Sequence, residues 1–403
     1  MSQDINLTTE ISGIQFPNPF VLPSAQSVRT GDMIHRAFEA GWGGAVTQTL
    51  TMESGKIHNV RPRLDAYWQK DALIGVMNIE LVAARPLDTW LQEICELKES
   101  FPEHPIIASI MGQGDSSEEW VCLADKCAEA GADALELNIS IPHGMTEQGT
   151  GAIIGQDPER TRLVTSWVTS ATQLPVFVKL TPNVTDISAI ARAAEEGRAS
   201  GVTAVNNLKA LAGIDIENFQ PQPSVQGFSS FGGYAGPGLK PVALRCVAEI
   251  AKATSLPIVG TGGVSGWEDA VEYLLAGASL VQVYTGVMKH GYGLIDSLIE
   301  GLSDYMERKS FCRVSELTGL VLSQIVAHGS LQRVDNLKAA YSRDLCIRCG
   351  QCFIACEDAG FQAVVWADDE YPVIDNEACD ACGLCLALCP VEECMWLEEM
   401  ESN

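Results

Sequence analysis

The chain has 403 residues, 46% of them hydrophobic, and its 52 acidic against 26 basic side chains give a formal charge of −26. That length allows one large α/β domain with a smaller module attached, while the charge repels nucleic acid and anionic membrane surfaces and leaves small molecules or basic protein patches as partners. The amino terminus, MSQDINLTTE, lacks the basic start and apolar run of a secretion signal, and no later stretch reaches membrane-spanning length, so a cytoplasmic location is expected.

Short β-branched or apolar runs recur along the first three quarters of the chain, each ending in small or polar residues and followed by a segment of helical period. They are FVLPS (20–24), GAVTQT (44–49), PIIASI (105–110), ALELN (134–138), VFVKL (176–180), AVNN (204–207), PIVGTGG (257–263) and LVQVYTG (280–286). Between them, DMIHRAFEAGW (32–42), SEEWVCLADKCAEAG (117–131) and WEDAVEYLLAGA (267–278) place apolar residues three and four apart and then glycine near the end, which predicts amphipathic helices. Eight strand–helix units predict an α/β fold of the (β/α)8 TIM-barrel type. A doubly wound open sheet also alternates strand and helix, but no GxGxxG follows the first strand. Residues 50–80, carrying IGVMN, and 208–240, rich in Gly, Ser and Pro, read as long insertions over the C-terminal face, where barrels assemble their sites.

The loops expected after the seventh and eighth strands are GTGG (260–263) and YTG (284–286). Barrels commonly hold a phosphate there, and small residues let backbone N–H groups approach an anion. Together the two turns point to a phosphorylated cofactor. Lys179, at the end of the fifth strand, puts a cation into a mostly apolar mouth, a costly placement unless something negative sits opposite. Reduced FMN, with charge near N1, fits that need; a lysine snorkelling to solvent is the alternative.

Nine of the fourteen cysteines lie between Cys346 and Cys394, and the last 58 residues carry thirteen Asp or Glu against one basic residue, Arg348. This shift predicts a barrel over 1–310, a helical linker over 311–341 and a second domain over 342–403. CIRCGQCFIAC supplies Cys346, Cys349, Cys352 and Cys356, and CDACGLCLALCP repeats the C-x2-C-x2-C-x3-C spacing with Cys379, Cys382, Cys385 and Cys389. In the two-cluster ferredoxin pattern the fourth cysteine of each run crosses to the other cluster. One [4Fe–4S] centre is therefore assigned Cys346, Cys349, Cys352 and Cys389, and the second Cys379, Cys382, Cys385 and Cys356. Zinc needs four ligands, and two interleaved runs would be a wasteful way to supply them. Cys394 is left over and is expected to be a buried thiol.

GWGGAVTQT, NIELV, IIASIM, ALELNISIPHGM, GQDPE, KLTPNVTDI, TGG and the cysteine pattern, in this order over nearly the whole chain, resemble the iron–sulfur subunit of the bacterial NAD-dependent dihydropyrimidine dehydrogenase family. The barrel alone resembles class 1 dihydroorotate dehydrogenases. The resemblance implies FMN in the barrel, two clusters, and a partner flavoprotein subunit in a hetero-oligomer that takes electrons from NAD(P)H through FAD. It implies hydride transfer from FMN to a C=C bond conjugated to a carbonyl, with an acid protonating the neighbouring carbon. Asn78, Asn138 and Asn206 match asparagines that hold the pyrimidine edge, and their amides offer donors and acceptors to an imide-like ring. Ser24, Gln48, Lys179, Gly236, Gly262, Gly263, Tyr284 and Thr285 are the candidate cofactor contacts.

Three positions depart from the pattern. Ile141 stands where the family has its proton-transferring cysteine, Gln48 replaces a lysine, and Asn207 replaces a threonine beside the ring. General acid–base help is worth roughly 10² to 10⁴ in rate, so ordinary pyrimidine reduction should be impaired. Four readings follow: Ser140 or His143 is the acid, with a purely structural loop histidine as the alternative for the latter; the substrate differs, making Gln48, Ile141 and Asn207 specificity residues; the chain is a non-catalytic electron-transfer subunit; or it is an inactivated variant. The changed substrate is the preferred reading.

Overall fold

The computed structural model describes residues 5–114, 116–334, 336–366 and 371–400. It divides into two compact units, Met1–Ile325 and Val326–Asn403. In the first, eight parallel strands close a barrel: β1 (Phe20–Leu22), β2 (Gly44–Val46), β3 (Ile106–Ile110), β4 (Ala134–Asn138), β5 (Val176–Leu180), β6 (Gly201–Ala204), β7 (Ile258–Thr261) and β8 (Leu280–Gln282). Each pairs with its neighbours in sequence, and β8 closes on β1. One long helix follows each strand: α1 (Gly31–Glu39), α2 (Leu87–Ser100), α3 (Ser117–Glu129), α4 (Pro158–Ala171), α5 (Ile187–Glu196), α6 (Lys240–Ala253), α7 (Trp267–Leu275) and α8 (Leu294–Lys309). Local chemistry sets several starts. Thr30, Asp157 and Asp186 accept backbone N–H bonds at the first turns of α1, α4 and α5, and Pro158 opens α4, where its missing N–H costs nothing.

Strand alternation builds the interior in layers. Val21, Val46, Ile107, Ala134, Phe177, Val259 and Leu280 form an apolar floor, closed from below by Ile11 and Phe16 of an N-terminal hairpin. Two residues further along, Ser109, Glu136, Lys179, Thr261 and Gln282 form a polar layer that is almost wholly buried. A period of two thus converts floor into site on five strands at once.

Three sequence expectations are corrected. The sixth strand is Gly201–Ala204, and 205–207 form the loop after it, because the Asn206 N–H turns to bond the Leu180 carbonyl at 2.8 Å. Residues 50–80 and 208–240 are more than loops: Leu64–Gln69 and Ala72–Asn78 make a hairpin, and Gly232–Ala235 pairs with the latter, opposing Gly233 to Asn78 in a four-stranded antiparallel sheet. Glycine at 75 makes room for the Tyr234 ring, which a Cβ built there would approach to 2.2 Å. The predicted 311–341 linker is divided. Val314 and Leu317 bury into the barrel's outer core, and the Gly319 N–H bonds the Leu274 carbonyl at 2.9 Å, so the first unit runs to Ile325. Helical structure in the described part of that stretch consists of the 3-10 turns Val314–Glu316, Leu322–Gln324 and His328–Ser330.

The second unit starts before residue 342, with Leu337–Tyr341 paired antiparallel to Met395–Glu399. Val364–Trp366 and Pro372–Ile374 form a second pair, and the helices Gln351–Ala359 and Leu384–Ala387 complete the unit. Among the described residues no helix is long and apolar enough to cross a membrane.

Candidate active site

A cavity opens at the C-terminal ends of the barrel strands, where such folds place their small-molecule sites. Every predicted barrel residue except Ser140 lines it: Ser24, Gln48, Asn78, Asn138, Ile141, His143, Lys179, Asn206, Asn207, Gly236, Gly262, Gly263, Tyr284 and Thr285. The loops after β6 and β7 approach closely, and glycine is what permits it. A Cβ on Gly263 (φ +75) would sit 2.6 Å from the Gly236 carbonyl, and one on Gly236 (φ +108) 2.7 Å from the Gly75 Cα. Tyr273 of α7 braces this turn by donating its hydroxyl to the Gly262 carbonyl at 2.6 Å. Burial raises that phenol well above its ordinary pKa, so it stays a donor.

Lys179 differs from its sequence reading. Its counter-charge is a protein group: Nζ lies 3.2 Å from Glu136 Oε1, and the two side chains are 6% and 1% exposed. Thr203 donates to the other carboxylate oxygen at 2.9 Å, and the Gln282 amide reaches it at 3.5 Å. Glu136 was missed because ALELN reads as a plain strand. The available signal was an acid in the same inward register as Asn138, one strand away from an inward lysine.

Ser140 lies behind the cavity wall, with no exposed surface. Its hydroxyl accepts from Asn206 Nδ2 at 2.9 Å and donates to Asn138 Oδ1 at 3.1 Å. Backbone N–H groups fix both amides: the Ser140 N–H points at Asn138 Oδ1, and the Asn207 N–H at Asn206 Oδ1. Asn138 Nδ2 donates to Thr49 Oγ1 at 2.8 Å, and that hydroxyl also meets those of Ser24 and Ser109. Each amide oxygen is thereby engaged, and one N–H remains on each nitrogen for a ligand. Serine is thus a strut between asparagines.

His143 is buried, and its Nε2 lies 2.9 Å from the Glu80 carbonyl. A carbonyl only accepts, so Nε2 carries the proton and Nδ1 presents a lone pair, which has no protein partner. Burial is the main cause that pulls the histidine's pKa below its ordinary value, and the bond to Glu80 opposes it. The ring is therefore a neutral proton acceptor. Glu80 was also missed by the sequence reading; its carboxylate is held by Arg29 at 2.8 Å, with Arg63 3.3 Å away, and by Gln26, which Tyr284 bonds in turn. Ile141, 8% exposed, belongs to the apolar core and to the cavity wall. A flat ring with donors and acceptors, joined to a phosphate, fits this donor set. Gln282 Oε1 and His143 Nδ1 are buried acceptors without partners, and small residues at the glycine turns are what a phosphate needs.

In the second unit the two cysteine runs share the turn between their first and third cysteines. Arg348 and Ala381 have φ of +58° and +54°, and the glycines that follow, Gly350 and Gly383, have +76° and +79°. Cys379, Cys382 and Cys385 line a cavity, and Cys356 of the first run is the fourth thiol on its wall. Three thiols of one run and one of the other on a shared wall are the set that the two-cluster pattern requires. Cys394 is buried, 3% exposed.

Residues 6–306 match the dihydroorotate dehydrogenase family model, and 339–397 the 4Fe-4S dicluster domain. The chain belongs to the dihydroorotate dehydrogenase family. It is 37% identical to the NAD-dependent dihydropyrimidine dehydrogenase subunit PreA of Escherichia coli K12, covering 100% of this chain and 97% of that protein. The chloroplastic dihydropyrimidine dehydrogenase (NADP(+)) of Arabidopsis thaliana is 37% identical, over 81% and 79% of the two chains. The catalytic subunit of dihydroorotate dehydrogenase B (NAD(+)) from Pyrococcus furiosus is 40% identical over 78% of this chain and 99% of its own. The second domain separates this chain from the latter. It is a dihydropyrimidine dehydrogenase-like subunit with a flavin domain and an iron–sulfur domain, an oxidoreductase of the class acting on CH–CH bonds, and its family binds FMN.

Proposed function

We propose that this chain is the catalytic subunit of a cytoplasmic hetero-oligomer that reduces, or oxidises, a C=C bond conjugated to a carbonyl in a cyclic substrate. A partner subunit with FAD would exchange electrons with NAD(P)H, and the two [4Fe–4S] clusters would relay them. Bound FMN supplies the chemistry of hydride exchange with the substrate and single-electron exchange with the clusters. Ser24, Gln48, Gly236, Gly262, Gly263, Tyr284 and Thr285 would hold it, beside Lys179. The crossed set Cys379, Cys382, Cys385 and Cys356 would hold one cluster, and Cys346, Cys349, Cys352 and Cys389 the other. The observation that carries this reading is one barrel-mouth cavity that gathers the predicted asparagines and glycine loops.

The protein's own groups have distinct tasks. The spare N–H groups of Asn138 and Asn206 donate to ring carbonyl oxygens, while Asn78 and Asn207 complete the edge. Ile141 transfers no proton; it excludes water from the site. His143 Nδ1 accepts a proton in the oxidative direction and returns it in the reductive one, with Glu80 holding the tautomer through its carbonyl. Ser140 positions the two amides and, being saturated by them, is not the acid. Changing the proton-transfer group while keeping the asparagine cradle supports a substrate other than, or beyond, uracil and thymine.

The test is to reconstitute the purified protein with iron, sulfide and FMN, then record bound flavin and its absorbance change on adding cyclic carbonyl compounds. Stoichiometric flavin perturbed by at least one such compound is expected. Protein that holds clusters but takes up no flavin would favour a pure electron-transfer subunit and end the catalytic reading.

A further inference from the structure

We propose that the ring site continues into a second compartment, and that the substrate is a cyclic carbonyl compound bearing an apolar substituent seated there; this rests on the catalytic reading above. A cavity lies over the ends of β2, β3 and β4, across the barrel mouth from the glycine loops after β7. Leu81 lines both cavities. Its backbone is fixed by the Asn59 side chain, which accepts the Leu81 N–H at 2.7 Å. Its side chain rests where Gly144 has no Cβ: one built there would lie 2.3 Å from Leu81 Cδ2. The partition thus includes the end of a flexible leucine, with space made for it by a glycine on the loop that carries Ile141 and His143.

The chemistry of the walls selects the occupant. Met52, Ile57, Met111 and Met145 line the compartment with Leu81. Thioether side chains are apolar and adapt their shape, which suits a substituent more than a rigid second ring site. Several polar groups at its edge are engaged with protein partners, and His58 and Gln113 also line it. Glu53 pairs with Lys56 at 2.9 Å, Glu119 accepts the Gln113 N–H at 3.0 Å, and Thr150 donates to the Gly112 carbonyl at 2.9 Å. With the charged pair closed on itself and thioethers forming the wall, the preferred occupant is a short alkyl or aryl arm. This also gives the isoleucine at 141 a context, since an apolar wall beside Leu81 suits an apolar arm passing it.

The experiment uses the full chain carrying FMN and clusters. Binding of uracil and of 1-propyl-, 5-propyl- and 6-propyluracil is measured by perturbation of the flavin spectrum, for the native protein and for Met52→Trp and Met52→Ala. At least one propyl compound should bind about ten-fold or more tightly than uracil, the scale expected from burying part of a three-carbon arm. Met52→Trp, which fills the compartment, should abolish that gain while leaving uracil binding unchanged; Met52→Ala should keep the gain. Equal or weaker binding of all propyl compounds, with uracil still bound, overturns the compartment and leaves the catalytic reading standing. A gain untouched by Met52→Trp in a folded, flavin-loaded protein places the arm elsewhere and also overturns it. A protein that takes up no flavin fails at the earlier reading, and the compartment falls with it.

Discussion

In the barrel, Asn206 and Ser140 meet across 66 residues of sequence, whereas in the second unit Cys379, Cys382 and Cys385 come from one short turn. The two regions also differ in what holds them. Barrel side chains stand on a continuous apolar core of strands and helices. In Val326–Asn403 the buried side chains among the described residues are Ala339, Ala355, Ala363, Val364, Pro372, Cys385 and Cys394, too little apolar surface to stabilise a fold of that size. The barrel is a scaffold that carries a site; the second unit is a chain organised around its own ligands.

The largest effect should come from breaking that dependence. Removing iron with a chelator under reducing conditions should unfold the second unit, because ligand binding there is folding free energy. Limited proteolysis should then cleave within Val326–Asn403 while the barrel's thermal transition persists. A second unit that resists protease without iron would show that the contrast is mistaken.

The next largest tests the barrel as a scaffold tolerant of changed chemistry. Ile141→Cys should raise turnover of uracil, measured with an electron-donating partner or an artificial dye, by roughly 10² to 10⁴ if the ring lies against residue 141. No gain in a flavin-loaded variant would mean that the ring sits differently, and would strengthen the case for a changed substrate.

Legibility followed the same divide. Spacing alone announced the 4Fe-4S dicluster domain, because cluster ligation fixes the distance between ligands along the chain. Strands β4 and β5 were legible to the residue, since alternation and clear borders coincide in ALELN and VFVKL. The four-stranded sheet was not: its pairing of Gly233 with Asn78 spans two insertions, and no local signal reports a partner so far away. For the same reason the site residues were named by type and position, while their partners, Glu136 for Lys179 and Glu80 for His143, appear only when the strands stand side by side.

Glu136→Gln sharpens the comparison by attacking the barrel from within. Leaving Lys179 buried without its counter-charge should cost about 3–5 kcal/mol in denaturant unfolding of the barrel, and the Lys179→Met, Glu136→Gln double variant should recover part of it. Cluster absorbance should not change, since the cluster ligands lie in the other unit. Additive losses in the double variant would mean that the two groups do not act as a pair.

The smallest effect is a pH dependence confined to the barrel. Burial depresses the native His143 pKa below its unfolded value of 6.5, so above that pH both states are neutral and the stabilisation is fully present. As pH falls below 6.5 the unfolded chain takes a proton that the native ring refuses, and stability declines until the lowered native pKa is passed. His143→Leu should flatten the part of the barrel's stability–pH curve that lies just below pH 6.5, with the second unit's iron content unchanged. An unaltered slope in that interval would place the histidine's Nδ1 in contact with water, and would remove the reason for treating it as a neutral acceptor rather than an acid.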